Sequence, residues 1–235
     1  MFNSLIEKKQ MNKNFMIGIA SVCMASNVQA NLVTIDISSY ANSSLSNTIY
    51  DSSPPQGNQT LGGISFLMGN VWNSSYNTDH TVSIAINKFG VNKVYSLINT
   101  WWGTTDSNKA YVDFLGTNGA YYSLNLIGGY DIRDYNQSSY TNTINSPNTV
   151  NVYVQPENSS HRLDMQSIDL PDAFMSETLE TIRFRDLGGA DYQRIFLTGL
   201  TVDVSDANTI PLPTPAWLLL SGLAGLLVNL RKLTT

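Results

Sequence analysis

Residues 110–126 read AYVDFLGTNGAYYSLNL, and the placing of apolar residues in them sets the fold class. Ala110, Val112 and Phe114 share one side of the first half, and Tyr122, Leu124 and Leu126 share one side of the second. A period of two belongs to a strand with one buried face, because successive side chains leave a pleated backbone on opposite sides. Between the halves lies LGTNGA, where Asn118-Gly119 can supply the positive φ angles of a tight hairpin turn. The same alternation recurs in TVSIAIN (81–87), with Val82, Ile84 and Ile86 inward, and in TVNVYVQ (149–155), which would bury Val150, Val152 and Val154. In RIFLTGLTVDV (194–204) the apolar set changes phase, from Ile195 and Leu197 to Leu200, Val202 and Val204, with Gly199 at the change. That predicts a bulge that re-aims the strand.

The helical candidate is short, LPDAFMSETLE (170–180), where Pro171 can open a turn and Glu177 and Glu180 can stay solvated. No period of 20 to 50 residues repeats, which argues against a solenoid or propeller. Short strands at close turn intervals, without helical crossovers, predict an all-β fold: an antiparallel β-sandwich of jelly-roll type spanning 31–205. The Ser-, Asn- and Pro-rich segment 38–60 would be a long surface loop or an ordered excursion over one sheet.

The two ends read differently. Lys8, Lys9 and Lys13 precede an apolar stretch from Phe15 to Ala25 and then SNVQA, the pattern of a secretory signal peptide over 1–30 cut by signal peptidase after Ala30. Translation from Met11 would leave a signal of ordinary length. The apolar part is too short for the ~20 residues of a membrane span, and Cys23, preceded by Val22, does not sit where lipid attachment would place it. Cys23 is the chain's single cysteine, so no disulfide forms after its removal. Stability must come from an apolar core. From Asn31 to Leu230 there are eight basic and seventeen acidic residues, net −9. Such a surface disfavours nucleic acid and anionic headgroups and leaves neutral polymers open as partners.

At the other end a linker (206–215) leads into an apolar run, Ala216 to Leu230, then Arg231-Lys232. Fifteen residues make a helix of about 22 Å, short of a ~30 Å hydrocarbon core, yet a slightly thinned bilayer accommodates it at modest cost. Trp217 and the basic pair stand where interfacial aromatic and cytoplasmic charges belong. The ordered series Ile210-Pro211-Leu212-Pro213-Thr214, Trp217, Ser221-Gly222 and Arg231-Lys232 resembles a VPLPA-CTERM tail, a variant of the PEP-CTERM sorting signal of Gram-negative bacteria that make exopolysaccharide. It departs in Ile210 for the leading Val and Thr214 for the motif's Ala. The resemblance implies a membrane-anchored precursor, with 216–235 as the sorting helix. An exosortase-type membrane transpeptidase would cleave it and deliver the domain to the cell surface or the medium. The domain, through VYSLINTWWG, FLGTNGAYYSLNLIGGYDIRDY, IDLP and LTGLTV within 94–204, is similar to sugar-binding-like β-sandwich ectodomains. That likeness carries no catalytic motif.

The domain's own chemistry is sparse. His80 and His161 stand in no metal-ligand spacing and read as surface or loop residues. Asp131 and Asp134 around Arg133, and Arg162, Asp164 and Asp169 in HRLDMQSIDL, could serve glycoside hydrolysis if two carboxylates converged; structural ion pairs are the better reading. No cofactor is implied. A structural calcium could sit among loop oxygens, although no DxDxDG run supports one. Aromatics beside Asn, Gly and Ser remain: Trp72, Trp101, Trp102, Tyr130 and Tyr135, whose rings could stack on a sugar face. Pleating should place one of Trp101 and Trp102 in the core. Two functional classes follow. One is a non-catalytic surface or matrix protein associating with exopolysaccharide; the alternative is a glycan-active hydrolase or lyase on the same sandwich.

Overall fold

A computed structural model describes residues 31–75, 80–106, 108–137, 141–188 and 193–205. The signal peptide with Ala30, the linker, and the sorting motif with its apolar helix lie outside the described residues. Among the described residues no helix is long and apolar enough to cross a membrane.

In chain order, β1 (Asn31–Ile35) and β2 (Ser43–Ser44) precede a short helix, α1 (Leu45–Ile49). Then come the β3 (Gly57–Leu61) and β4 (Ile64–Met68) hairpin, β5 (Asn70–Asn73), and the long strands β6 (His80–Phe89) and β7 (Val91–Trp101). The rest are β8 (Ala110–Gly116), β9 (Tyr121–Asn125), β10 (Thr149–Val154), β11 (Arg162–Asp169), β12 (Thr178–Asp186) and β13 (Arg194–Val204). The larger sheet runs β10-β11-β7-β13-β5-β2, with β1 sharing one edge of β13 with β5; the smaller runs β6-β12-β8-β9. All these strand pairs are antiparallel. The chain changes sheet between β5 and β6, β6 and β7, β7 and β8, β9 and β10, β11 and β12, and β12 and β13, which is the jelly-roll manner of closing a sandwich.

Two cores result, and they explain why the central strands lack a polar face. Ile84, Val112, Phe114, Ile182 and Phe184 of the smaller sheet meet Val94, Ile98, Ile195, Leu197, Leu200 and Val202 of the larger. On the larger sheet's other face, Val71, Leu97, Leu163, Met165 and Phe196 are covered by Leu45 and Ile49 of α1 and Phe66 and Met68 of β4. The segment 38–60 is thus an ordered excursion that roofs the second core.

The bulge predicted in β13 is present: its register against β7 shifts between Leu197 and Gly199. Either side of the shift, Ile195 and Leu197, then Leu200 and Val202, reach the same core. A Cβ on Gly199 would come 2.9 Å from Leu97 Cδ1 and 3.0 Å from Phe66 Cδ1. Gly199→Val is therefore expected to overpack the second core and lower stability by about 1–3 kcal/mol in urea melts; an unchanged midpoint would show that the core yields.

The hairpin of β8 and β9 also forms, closed by Gly116 N–H to Ala120 O at 2.8 Å. Of the pair Asn118-Gly119, Gly119 takes the positive φ (100°). Glu177, expected to be solvated, is instead buried: its carboxylate accepts Asn118 N–H at 2.5 Å and Ala120 N–H at 2.8 Å. The orphan amides of the turn draw it in. Residues Asp172–Ser176 make the short helical turn expected after Pro171.

Strand β10 departs from expectation, since Val150 and Val154 are exposed. It is an edge strand, and a register shift between Asn151 and Tyr153 breaks its alternation. Val152 and Tyr153 pack partly on the second core.

Candidate functional site

The site forms where β7 and β11 part. They pair from Lys93–Asp169 to Leu97–Met165. Beyond Leu97 the gap is filled by residues 133–136, which run parallel to the end of β7. Thr100 N–H bonds Arg133 O at 2.9 Å, Tyr135 N–H bonds Thr100 O at 3.0 Å, and Arg162 N–H bonds Tyr135 O at 3.0 Å. The splice is held by a buried polar seam. Arg133 grips Asp164 with Nε to Oδ2 and Nη2 to Oδ1, both 2.7 Å. Asn99 donates to Asp164 Oδ2 at 2.8 Å and accepts from its N–H at 2.9 Å.

Of the residues read as structural ion pairs, Arg133 and Asp164 pair, buried, while Asp169 pairs instead with Lys93 on the surface at 2.8 Å. Asp131 accepts from Ile127 N–H at 3.0 Å and does not line the site. Arg162 donates to the Asp134 carbonyl at 3.1 and 3.2 Å, and burial beside Arg133 lowers its pKa to about 10, still charged at neutral pH.

The splice aims a carboxylate at the end of β7. Asp134 Oδ2 accepts the N–H of Trp102 at 2.5 Å and Oδ1 accepts that of Asn136 at 2.7 Å. Trp102 is thereby held with φ 46°, and Tyr50, closing α1, has φ 51°. Bulky residues rarely take this left-handed conformation, which costs of order 1–3 kcal/mol and gathers at functional sites. The two rings flank Trp101, with centroids 5.4 Å (Tyr50) and 6.0 Å (Trp102) away, and Tyr135 lies 5.5 Å from it. The Arg194 guanidinium stacks 4.3 Å from the Trp101 ring and 5.3 Å from that of Trp102. The result is a depression of about 160 Å³ lined by Tyr50, Trp101, Trp102, Asp134, Tyr135 and Asn136.

Of the aromatics named from sequence, Trp101, Trp102 and Tyr135 meet here. Trp101 packs partly on the second core, and Trp102, 39 % exposed, is turned outward by its backbone kink. Tyr135 is buried beneath them, which pushes its phenol pKa up. Trp72 does not join: it is 2 % exposed within the sandwich core and cannot offer a ring to a ligand. Tyr130 is exposed on the turn that follows Ile127, outside the depression. Sequence reading missed Tyr50, which is 65 % exposed, and Asn136. Tyr50 had no signal, because it lies 51 residues before Trp101 in a segment without periodicity.

His161 is buried, correcting the surface expectation. Its Nδ1 lies 2.7 Å from Gln155 Oε1 and its ring 5.1 Å from that of Tyr135. His80 packs beside Trp72 at 5.5 Å. Among the described residues no group of three or more His, Cys, Asp or Glu is placed to hold a metal ion.

Burial raises the Asp134 pKa from 3.8 to about 6, against the pull of its two backbone donors and Arg162. A carboxyl raised in the folded state favours folding most below its unfolded value and loses that contribution as pH climbs through about 6. By ~1.36 kcal/mol per unit the loss is on the order of 3 kcal/mol. Thermal melts from pH 4 to 7 should show a component that declines between about pH 4 and 6, levels off above 6 and is absent in Asp134→Asn; an identical slope in both proteins would exclude it.

No protein-family model and no curated protein matches the chain. Among solved structures it is similar to a mutant family 29 carbohydrate-binding module studied for ligand recognition. The two share 12 % identity over 79 % of this chain and 99 % of that one, with a TM-score of 0.32. It is also similar to a family 35 carbohydrate-binding module from Cellvibrio japonicus, at 8 % identity over 76 % and 95 % of the two chains, with a TM-score of 0.22. Likeness at that level places no residue and assigns no ligand.

Proposed function

We propose that the domain is a non-catalytic glycan-binding module, with a sugar ring resting against Tyr50 and Trp102 over a floor of Asp134 and Asn136. The observation that carries this reading is the pair of exposed aromatic residues, both in left-handed backbone, on either side of one depression. The left-handed turn at Tyr50 also caps α1, its N–H donating to Ser46 O, but neither cap nor turn requires an exposed ring, and a flat apolar wall beside hydrogen-bonding groups suits a sugar's apolar face and hydroxyls. Asp134, nearly fully buried, is reached through the depression, where its oxygens carry lone pairs beyond those its backbone donors use. About 160 Å³ is small beside the ~300–1,000 Å³ that enclose a drug-sized ligand, so one ring of a chain would sit here, weakly held. Hydrolysis finds no support in this depression, where Asp134 is the carboxylate among the lining residues.

The tail supports a second part of the reading: export, membrane anchoring through 216–235, and sorting by an exosortase-type transpeptidase to a surface rich in exopolysaccharide. Affinity electrophoresis through neutral glycans and through the producing strain's own polysaccharide tests the binding. Retardation that disappears in Tyr50→Ala, with the melting curve intact, is expected, and no retardation in any glycan overturns the reading. Mass spectrometry of the mature protein tests the sorting: termini at Asn31 and before Trp217 are expected, and a species ending at Thr235 overturns it.

A further inference from the structure

The outer face of the smaller sheet carries a second cluster that the aromatic site does not use. Across the four strands, Ser83, Arg183, Asp113 and Ser123 stand in one row, and Thr81, Arg185, Tyr111 and Asn125 in the next. Asp113 is fully buried at the centre. It accepts from Arg183 Nε at 2.9 Å, Arg185 Nε at 2.7 Å, Ser123 Oγ at 2.7 Å and Tyr121 Oη at 3.2 Å. Arg185 also lies 4.6 Å over the Tyr111 ring.

One carboxylate balances one guanidinium, so the cluster keeps a surplus charge of +1. Among the described residues no second carboxylate pairs with either arginine. Both guanidiniums remain partly open, with side chains 35 % and 27 % exposed, and Nε serves Asp113 in each. The outer nitrogens of Arg183 make none of the bonds to Asp113, which leaves a planar fork of the kind that grips carboxylate or sulfate with two parallel hydrogen bonds. Beyond the ~8 Å screening length of physiological salt the chain's overall acidity is muted, and the local sign decides.

We infer that this sheet face binds an anionic substituent, a carboxylate or sulfate ester, borne on a polysaccharide chain that lies across the strands. Arg183 is the contact residue, Arg185 holds Asp113, and Tyr111 and the exposed Tyr121 flank the ligand. The two sites are separate, since the aromatic depression belongs to the end of the larger sheet.

The full chain, in non-ionic detergent, is tested by affinity electrophoresis in polygalacturonate and in neutral dextran, and by calorimetry with inorganic sulfate. Wild type should be retarded by polygalacturonate, and Arg183→Gln should weaken that about tenfold, the loss of one charge-assisted contact. Asp113 stays paired with Arg185 in that variant, so the fold should survive. Arg183→Glu, which reverses the patch, should abolish retardation in polygalacturonate and leave mobility in neutral dextran as in wild type. Equal retardation of wild type and Arg183→Gln overturns the inference. So does an Arg183-dependent response to sulfate without retention by the polymer, which would make this a site for a free anion. A change of mobility in neutral dextran in Arg183→Glu would trace the effect to the fold or to the aromatic site and likewise overturn it.

Discussion

Arg133→Met should destabilise the domain by about 3–5 kcal/mol, because it strands a buried carboxylate without its cation. Asp164 and Asn99 are fully buried, and Arg133 supplies the two charged hydrogen bonds, each 2.7 Å, that compensate the Asp164 carboxylate. Removing the guanidinium leaves that carboxylate hydrogen-bonded to neutral amides, Asn99 at 2.8 Å and Asn151 at 3.2 Å, while the nearby Arg162 cation spends its donors on the Asp134 carbonyl and Asn142. Neutral donors do not replace an ion pair in a low-dielectric interior. The same change loosens residues 133–136, so the Trp102 amide should lose its carboxylate partner and any glycan retention should fall with it. The double variant Arg133→Met with Asp164→Leu removes both charges and should regain much of the lost stability. Urea denaturation of the three proteins measures this; a loss under about 1 kcal/mol in the single variant would mean that Asp164 reaches water and the seam is not what holds the splice.

Trp102→Gly separates binding from folding. Glycine takes φ near 46° without strain, so the backbone preference of the variant improves while ring contacts with Trp101 and Arg194 are lost. The melting temperature should change little. Glycan retention should drop about thirtyfold, as when an aromatic hot spot worth ~2 kcal/mol is deleted. Full retention in a folded Trp102→Gly protein would remove the platform from the mechanism. A matching loss in Tyr50→Ala, and none in Tyr130→Ala, would locate the ligand between the two flanking rings.

Much of the scaffold was legible because its signals are local. Alternation in 81–87, 110–126 and 194–204 reports a two-residue period that any half-buried strand must show, and Gly199 marks the bulge as a phase change visible without coordinates. The same rule misread β10, because alternation says that one face differs from the other and not that either face is covered. Val150 and Val154 stand on an edge strand broken by a register shift. Glu177 was misplaced for a related reason: its partners are the amides of a turn 57 and 59 residues away.

The site divides along the same line. Trp101-Trp102 and the Asp-Arg-Asp around 131–134 were conspicuous as residue types, and pleating alone required the two tryptophans to differ in burial. That Trp72 is core, that Tyr50 belongs beside Trp101, and that Asp134 holds Trp102 in a left-handed turn depend on the gap between β7 and β11 being filled by 133–136. By itself the sequence determined an all-β, antiparallel, disulfide-free domain, since hydrophobic period, turn residues and cysteine count are properties of the chain near each residue. The tertiary structure decided which faces are covered and which side chains meet at the end of β7 and across β12, because those contacts join residues tens of positions apart that only the packing of the sheets brings within hydrogen-bonding reach.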